Sequence, residues 1–333
     1  MSVTVEILMA TYNGAQYVEE QIRSIQNQDY DDWFLTISDD CSTDGTRDII
    51  KKLSKDDSRI HLLEGHKRFG SAPANFSHLL EIATGRYVML ADQDDVWHVN
   101  KISLFVERMK TCECQYGVDM PILAFSDVRV VDADLQVLFA SFYAATSRDP
   151  RRTSLSQMLV QNVVTGCAMA MNRSLVSLMQ SRRQTGGVGV RMHDWFYALV
   201  AAAAGKVLYI DAATVDYRQH GSNVMGVGHY SALRVWRRIL LHSRRNAYDR
   251  ASKIQAFITQ AIHVRRVVSD MAEPNKLRVL DDFISLPSYG VRTRIQILFR
   301  DGIWPYKIVD RINQIIGVCC LQKGRDLDEK CYE

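Results

Sequence analysis

Residues 5–53 read "VEILMATYNGAQYVEEQIRSIQNQDYDDWFLTISDDCSTDGTRDIIKKL", and the hydrophobic period changes three times within them. "VEILMA" is a short apolar strand, after which Val18, Ile22 and Ile25 recur at the spacing of one helix face. "WFLTIS" (Trp33 to Ser38) returns to a strand, and from about Asp44 a second helix carries Ile49, Ile50 and Leu53. The pattern continues outward with "IHLLE" from Ile60, a helical stripe of Phe76, Leu79, Leu80 and Ala83 closed by Gly85, and then "RYVMLA". Strands alternating with helices predict an α/β fold with a mainly parallel sheet and helices on both faces. Ligands of such sheets sit at the carboxyl ends of the strands. "TYNG" (11–14), "DDCSTDG" (39–45) and "DQDD" (92–95) each follow a strand, so the three polar clusters are expected on one edge.

After Lys101 the alternation loosens. "ILAFSDVRVVDADLQVL" reads as a strand and hairpin, "GCAMAMNRSLVSLM" as a strand into a helix, and "DWFYALVAAAAGKVLYIDA" as a helix into a strand. From Tyr230 the chain turns helical and basic: Lys plus Arg number 19 there against 11 Asp plus Glu, whereas the rest holds 22 against 27. The Gly-rich "GSNVMGVGHY" marks the expected boundary, giving a domain at 1–228 and a helical C-terminal region at 229–333. With 47 % hydrophobic and 24 % charged residues the 333-residue chain is of ordinary globular composition. Seven cysteines without a C-x-x-C pair argue against a disulfide framework or a zinc ribbon and for a reducing compartment. No basic leader and no apolar run long enough to span a bilayer is visible, so a cytoplasmic location is expected.

Asp92, Asp94 and Asp95 are three carboxylates at a strand end, and they repel one another unless something positive sits among them. A D-x-D at that place supplies hard oxygen ligands to Mg²⁺ or Mn²⁺ carrying a diphosphate; the bland alternative is that these aspartates cap the following helix. Asp39 and Asp40 end another strand, where a carboxylate can accept the imide N–H of a pyrimidine base. Thr11, Tyr12 and Asn13 offer hydroxyl and amide groups to a nucleoside, or form a plain turn. Asp194 in "MHDWFYA" is a general base or a helix cap, with His193 beside it. Arg218 and His220 in "YRQHGSN" could meet phosphate or complete a metal site; Lys67 and Arg68 are further phosphate or base contacts, and Asp127 lines a cleft or starts a hairpin. Neither G-x-x-x-x-G-K-[ST] nor G-x-G-x-x-G occurs.

In this order the clusters resemble the family 2 glycosyltransferases, which have the GT-A fold, and among them the rhamnosyltransferase-like enzymes of bacterial surface polysaccharide assembly. The resemblance rests on "ATYNGAQYVEEQIRSIQNQ", "SDDCSTDGT", Asn75–Phe76, "ADQDDVW", "TGCAMAMNR", "HDWF" and "YRQHGSN", over about residues 5 to 225. It implies that Thr11, Tyr12 and Asn13 with Asp39 and Asp40 hold the nucleoside of a nucleotide-sugar. Arg68, read from the residues alone as a phosphate or base contact, would otherwise be an isolated surface cation. Asp92 and Asp94 would form the metal motif, Asp94 as the direct ligand of Mg²⁺ or Mn²⁺, with His220 by the diphosphate and Asp95 supporting the loop. Asp194 would be the catalytic base of an inverting transfer, with dTDP-β-L-rhamnose as the suggested donor. The family usually has "HDWW" or a Glu-Asp pair at the base; "HDWF" keeps the aspartate.

Between Arg234 and Arg311, 16 Lys plus Arg stand against 7 Asp plus Glu, interleaved with aromatic residues. Such a surface can lie on an anionic membrane, on the inner face of the plasma membrane, which suits a polyprenyl-linked glycan acceptor. Equally, these helices could pack on the first domain or on a second copy of the chain as a homo-oligomer. No nucleic-acid-reading motif accompanies the basic residues. Two other functions compete: a sugar-nucleotide nucleotidyltransferase, which "MATYNGAQ" disfavours by carrying no cation, and a non-catalytic nucleotide-sugar-binding assembly protein.

Overall fold

The computed structural model describes residues 4–65, 68–182, 190–220 and 243–321. The first strands are β1 (Val5–Thr11), β2 (Trp33–Asp39), β3 (Ile60–Leu62) and β4 (Tyr87–Ala91), paired in parallel in the order β3-β2-β1-β4. Between them run α1 (Val18–Gln26), α2 (Thr46–Asp56) and α3 (Ala72–Ile82). The period-2 alternation sorts the strand residues between two cores: Val5, Ile7 and Met9 pack with α1 and α2, while Leu8 faces Phe76, Leu79 and Leu80 of α3.

Beyond β4 the sheet becomes mixed. β5 (Val96–Trp97), α4 (Lys101–Tyr116), β6 (Ile122–Val131), β7 (Val137–Phe139), α5 (Phe142–Thr146), α6 (Leu155–Met158), β8 (Met169–Asn172), α7 (Arg173–Ser181), α8 (His193–Ala204) and β9 (Lys206–Arg218) follow in turn. The sheet continues β4-β8-β6-β9-β5, with β7 on β6. β8 is antiparallel to β4 and β6, β9 is parallel to β6, and β5 is antiparallel to β9. Thus the chain leaving β4 at Asp92 turns immediately and pairs at Val96 with Asp216 near the end of β9. That crossing brings residues 92–95 beside 218–220.

Four helices complete the described chain: α9 (Ser243–Val267), α10 (Pro274–Ile284), α11 (Val291–Asp301) and α12 (Ile308–Cys319). Ile254, Ile258, Ala261 and Val264 of α9 join the same apolar cluster as Phe196 and Val200 of α8, and the Phe257 and Trp195 rings meet edge to face at 5.0 Å. Each such buried aliphatic side chain contributes about 1.5–3 kcal/mol. The expected boundary at 221–230 lies outside the described residues. Among the described residues no helix is long and apolar enough to cross a membrane.

Candidate active site

The tips of β1, β2 and β4 meet at one edge. Thr11 and Asp39 are register partners, and the Thr11 hydroxyl donates to Asp39 Oδ1 at 2.9 Å. Asp39 also accepts from the Ser42 amide (3.0 Å) and hydroxyl (2.6 Å), with Arg47 at 3.6 Å. Asn13 has φ 46°, and its side chain takes the Thr43 amide at 2.9 Å while its own amide donates to Ser42. Asp40 accepts from the amides of Phe69 and Gly70, which holds the segment carrying exposed Arg68 against the β2 tip. Lys67 lies outside the described residues. Tyr12 is 49 % exposed, whereas Thr11 is buried and the side chain of exposed Asn13 is tied to Thr43.

Gln93 clamps that turn by bonding the Tyr12 amide and carbonyl at 2.9 and 3.1 Å. Gly14 makes the clamp possible, because a Cβ there would lie 2.3 Å from Gln93 Oε1. Asp44 ties the same turn to α2 by accepting from Ala15 and Thr46.

The helix-cap alternative for Asp92, Asp94 and Asp95 fails, since α4 begins only at Lys101 after Asn100. Asp95 is buried; its Oδ1 accepts the Arg218 amide at 3.0 Å, and its Oδ2 meets no donor other than the Cys167 thiol. Donor atoms of Asp92, Asp95 and Cys167 lie within 4.8 Å of one another. Burial first, then the charges of Asp94 and Asp194, push the Asp92 carboxyl up to about 7. Under this cluster lies Lys101, wholly buried, its ammonium 3.5 Å over the Trp97 ring and bonded to the Cys167 carbonyl. Burial pushes Lys101 down to about 7, so it supplies only part of the missing charge.

His220 bonds Asp94 Oδ2 through Nε2 at 2.7 Å and rests on the Tyr17 ring at 5.0 Å. Arg218 does not sit as an open phosphate contact. Its buried guanidinium bonds the Asp94 and Ala133 carbonyls and Glu20, over the Tyr17 ring at 4.7 Å. Asp92 and Asp94 are half-buried oxygen donors at the mouth of this arrangement, a set that suits a hard divalent cation.

Asp194 is the second residue of α8, whose N-cap position is Met192. Asp194 Oδ1 accepts the Trp195 amide at 2.7 Å and Oδ2 accepts Asn162 Nδ2 at 3.2 Å. Burial nevertheless outweighs these bonds and pushes its carboxyl up to about 6. The helix-cap alternative for Asp194 does not hold, since Met192 occupies the N-cap and Asp194 lies inside the first turn. Gly166 keeps this wall close, with a Cβ there 3.4 Å from Asp194 Cβ. His193 stacks on Phe76 at 4.4 Å and burial takes its imidazole down to about 3, which makes it a packing residue. Asp127 accepts from Ser141 and from the Phe142 amide, anchoring the start of α5, and also borders an open cavity lined by residues within 140–151 and within 209–213 of β9.

The structure thus gathers two groups of the expected residues along one edge, Thr11 to Arg68 and Asp92 to His220, with Asp194 facing Asp92. Asn162, Gln93 and Lys101 were not singled out from sequence. Gln93 and Lys101 lie within the stretch that carries the aspartates, while nothing around Asn162 in "VQNVVTG" signals a partner 32 residues away.

The model of glycosyl transferase family 2 matches residues 6–176, just over half of the chain. The dTDP-rhamnosyl transferase RfbG of Shigella flexneri is 28 % identical over 229 residues, 66 % of this chain and 73 % of that protein. The UDP-Glc:α-D-GlcNAc-diphosphoundecaprenol β-1,3-glucosyltransferase WfgD of Escherichia coli is 37 % identical over 105 residues, 32 % of this chain and 40 % of that protein. The chain spans less than half the length of several curated relatives that it matches. The crystal structure of S. aureus TarS 1–349 in complex with UDP-GlcNAc superposes with TM-score 0.52 at 13 % identity, covering 94 % of this chain and 90 % of that one; at that identity the likeness shows the fold alone. With the sheet edge, the family match and the shared fold all in agreement, this chain belongs to glycosyl transferase family 2 and has the GT-A fold.

Proposed function

We propose that the chain is an inverting, metal-dependent glycosyltransferase in which Asp194 is the general base. The observation that carries this reading is the half-buried Asp194 carboxylate, fixed by Asn162 and the Trp195 amide and near enough to Asp92 for its charge to help hold the Asp92 proton, with desolvation pushing it up to about 6. A base poised there is ionised at neutral pH and still able to take a proton.

Thr11, Tyr12, Asn13, Asp39 and Asp40 hold the nucleoside, and Arg68 is carried to it by the Asp40 bonds to residues 69 and 70. Asp92 and Asp94 hold Mg²⁺ or Mn²⁺, with His220 orienting Asp94 from behind. The cation supplies charge neutralisation to the departing diphosphate. Asp194 takes the proton of the acceptor hydroxyl as that oxygen bonds to the anomeric carbon; the bonding pair of the old C–O bond leaves with the nucleoside diphosphate, and configuration inverts. Asn162 and the Trp195 amide fix the carboxylate for this approach.

Similarity to RfbG favours dTDP-β-L-rhamnose as donor, and similarity to WfgD favours a polyprenyl-diphosphate glycan as acceptor. The place of action is then the inner face of the plasma membrane, in surface polysaccharide assembly. The test is nucleoside diphosphate release from a panel of UDP-, dTDP- and GDP-sugars with Mn²⁺, Mg²⁺ or EDTA, using membrane extract as acceptor. Metal-dependent release from dTDP-rhamnose, lost in Asp194→Asn with donor binding intact by calorimetry, is expected. Unchanged turnover in Asp194→Asn would remove the base assignment, and donor binding with no turnover under any acceptor would favour the assembly protein.

A further inference from the structure

The helical C-terminal region turns an apolar corner outward. On α11, Val291 (45 % exposed) and Phe299 (67 %) project, and at the start of α12 Ile308 (72 %) and Ile312 (52 %) stand one turn apart on one face. The link between the helices, "GIWPYK", adds Trp304, whose ring meets Phe299 at 4.8 Å, and Tyr306, 43 % exposed. A run of large apolar side chains this exposed within 22 residues is not surplus core, because the inward faces of the same helices, through Ile297, Leu298 and Val318, are already buried. Around the corner stand Arg292, Lys307 and Arg311, none paired with a carboxylate among the described residues; of the two aspartates in this stretch, Asp301 is taken up by Arg278 and Arg300, which leaves Asp310.

We infer that this corner docks on an anionic lipid bilayer and thereby sets the distance of Asp194 from the membrane. The inference rests on the lipid-linked acceptor proposed above. Aliphatic tips flanked by Trp, Tyr and cations match the layers of a bilayer interface, hydrocarbon, carbonyl belt and charged headgroups. The corner is also wired to the catalytic wall: the Tyr306 amide donates to Gln161 Oε1 at 2.7 Å, and the next residue, Asn162, bonds Asp194. Arg152 adds a second tie by donating to the Trp304 carbonyl. An acceptor hydroxyl rising a short way from its lipid diphosphate would meet Asp194 on that side, whereas the nucleotide edge of β1 and β2 remains open to the donor.

The test is flotation of the full chain with vesicles of phosphatidylcholine and phosphatidylglycerol in equal parts, and with phosphatidylcholine alone. The wild type should float with the mixed vesicles. Ile308→Ser/Ile312→Ser should bind them at least about tenfold more weakly through lost apolar burial, and Arg292→Gln/Lys307→Gln roughly fivefold more weakly per cation, on anionic vesicles only. All four positions are exposed, and retained melting temperature and donor binding will show that the variants fold. Nucleoside diphosphate release with membrane extract is measured in parallel. If the lipid-linked acceptor is wrong, release from extract is absent while flotation and its loss in the variants persist. Variants that float like the wild type, or a wild type that ignores both vesicles, would overturn the docking surface; a wild-type dimer that Ile308→Ser/Ile312→Ser dissociates, without vesicle binding, would assign the corner to a second copy.

Discussion

Removing the Asn162 side chain should move the acid limb of the reaction without abolishing it. Asn162 donates to Asp194 Oδ2 at 3.2 Å and to the Val164 carbonyl at 2.9 Å, and its Oδ1 accepts the Val164 amide. A hydrogen bond to an ionised group stabilises it by about 1.5–3 kcal/mol; at 3.2 Å, and with water able to replace part of it, the lower end is appropriate. Since about 1.4 kcal/mol corresponds to one pKa unit, Asn162→Ala should carry the Asp194 carboxyl from about 6 to about 7. The ionised fraction at pH 6 then falls from about half to about a tenth, so kcat/KM there drops about fivefold, while at pH 8 the two enzymes nearly coincide. The assay is kcat/KM for nucleoside diphosphate release between pH 5 and 9 at saturating Mn²⁺, because bound cation takes the Asp92 carboxyl out of the same window. An unmoved limb, or a loss of equal size at every pH, would refute the reasoning and leave Asn162 as a packing residue of the 162–164 turn.

Asp94→Ala should lose turnover by at least about a hundredfold with an unchanged melting temperature, since a half-buried strand-end carboxylate holds no core; activity equal with and without EDTA would sink the metal assignment. Gly14→Ala puts a Cβ at 2.3 Å from Gln93 Oε1 and must displace the clamp on Tyr12. Its two hydrogen bonds are worth about 1 kcal/mol each, so donor KM should rise by up to about thirtyfold with kcat nearly constant, measured by steady-state kinetics. Lys101 titrates near 7 in the folded chain and near 10.4 when unfolded. Between those values the unfolded state binds the extra proton, so stability rises with pH over that window. Lys101→Met should flatten the rise, its melting temperature gaining on the wild type at pH 7 and losing that advantage towards pH 10.

Legibility followed sequence distance and element length. β1, β2 and β4 are apolar runs of five to seven residues each followed by a polar cluster, so the strands are readable and the carboxyl-end rule of such sheets places Asp39, Asp92 and Asp94 on one edge. β5, at two residues, has no readable period, yet its pairing with β9 is what carries Arg218 and His220 to the aspartates. Arg218 read as a phosphate contact because its partner, Glu20, is 198 residues away. Lys101 carries no signal of its own in the sequence, because its burial depends on Trp97 and on Cys167, 66 residues on. In the sequence the basic residues of the helical region count as a surface, for a membrane or for packing, whereas Arg294 is buried and donates to the carbonyls of Leu286, Pro287, Val318 and Leu321, closing α11 onto α12.

The positive charge among the three aspartates can now be apportioned. Arg218 gives Asp95 its amide and Asp94 only a bond to the carbonyl, and its own charge is answered by Glu20. His220 engages one oxygen of Asp94. Lys101 lies closest beneath the cluster but holds its proton weakly at neutral pH, because the burial that brings it near Asp92 and Asp95 also penalises its charge. Burial with the charges of Asp94 and Asp92 therefore still holds Asp95 well above the usual carboxylate range, and burial with Asp94 and Asp194 pushes Asp92 up to about 7, so both are left short of positive charge. A site made only to be stable would have placed a second arginine there. Leaving Asp92 short of charge raises the free energy of the empty site and returns that energy when a cation arrives with the diphosphate, so donor and metal should bind with positive coupling: donor affinity measured by calorimetry should rise with Mn²⁺, and the rise should vanish in Asp92→Asn.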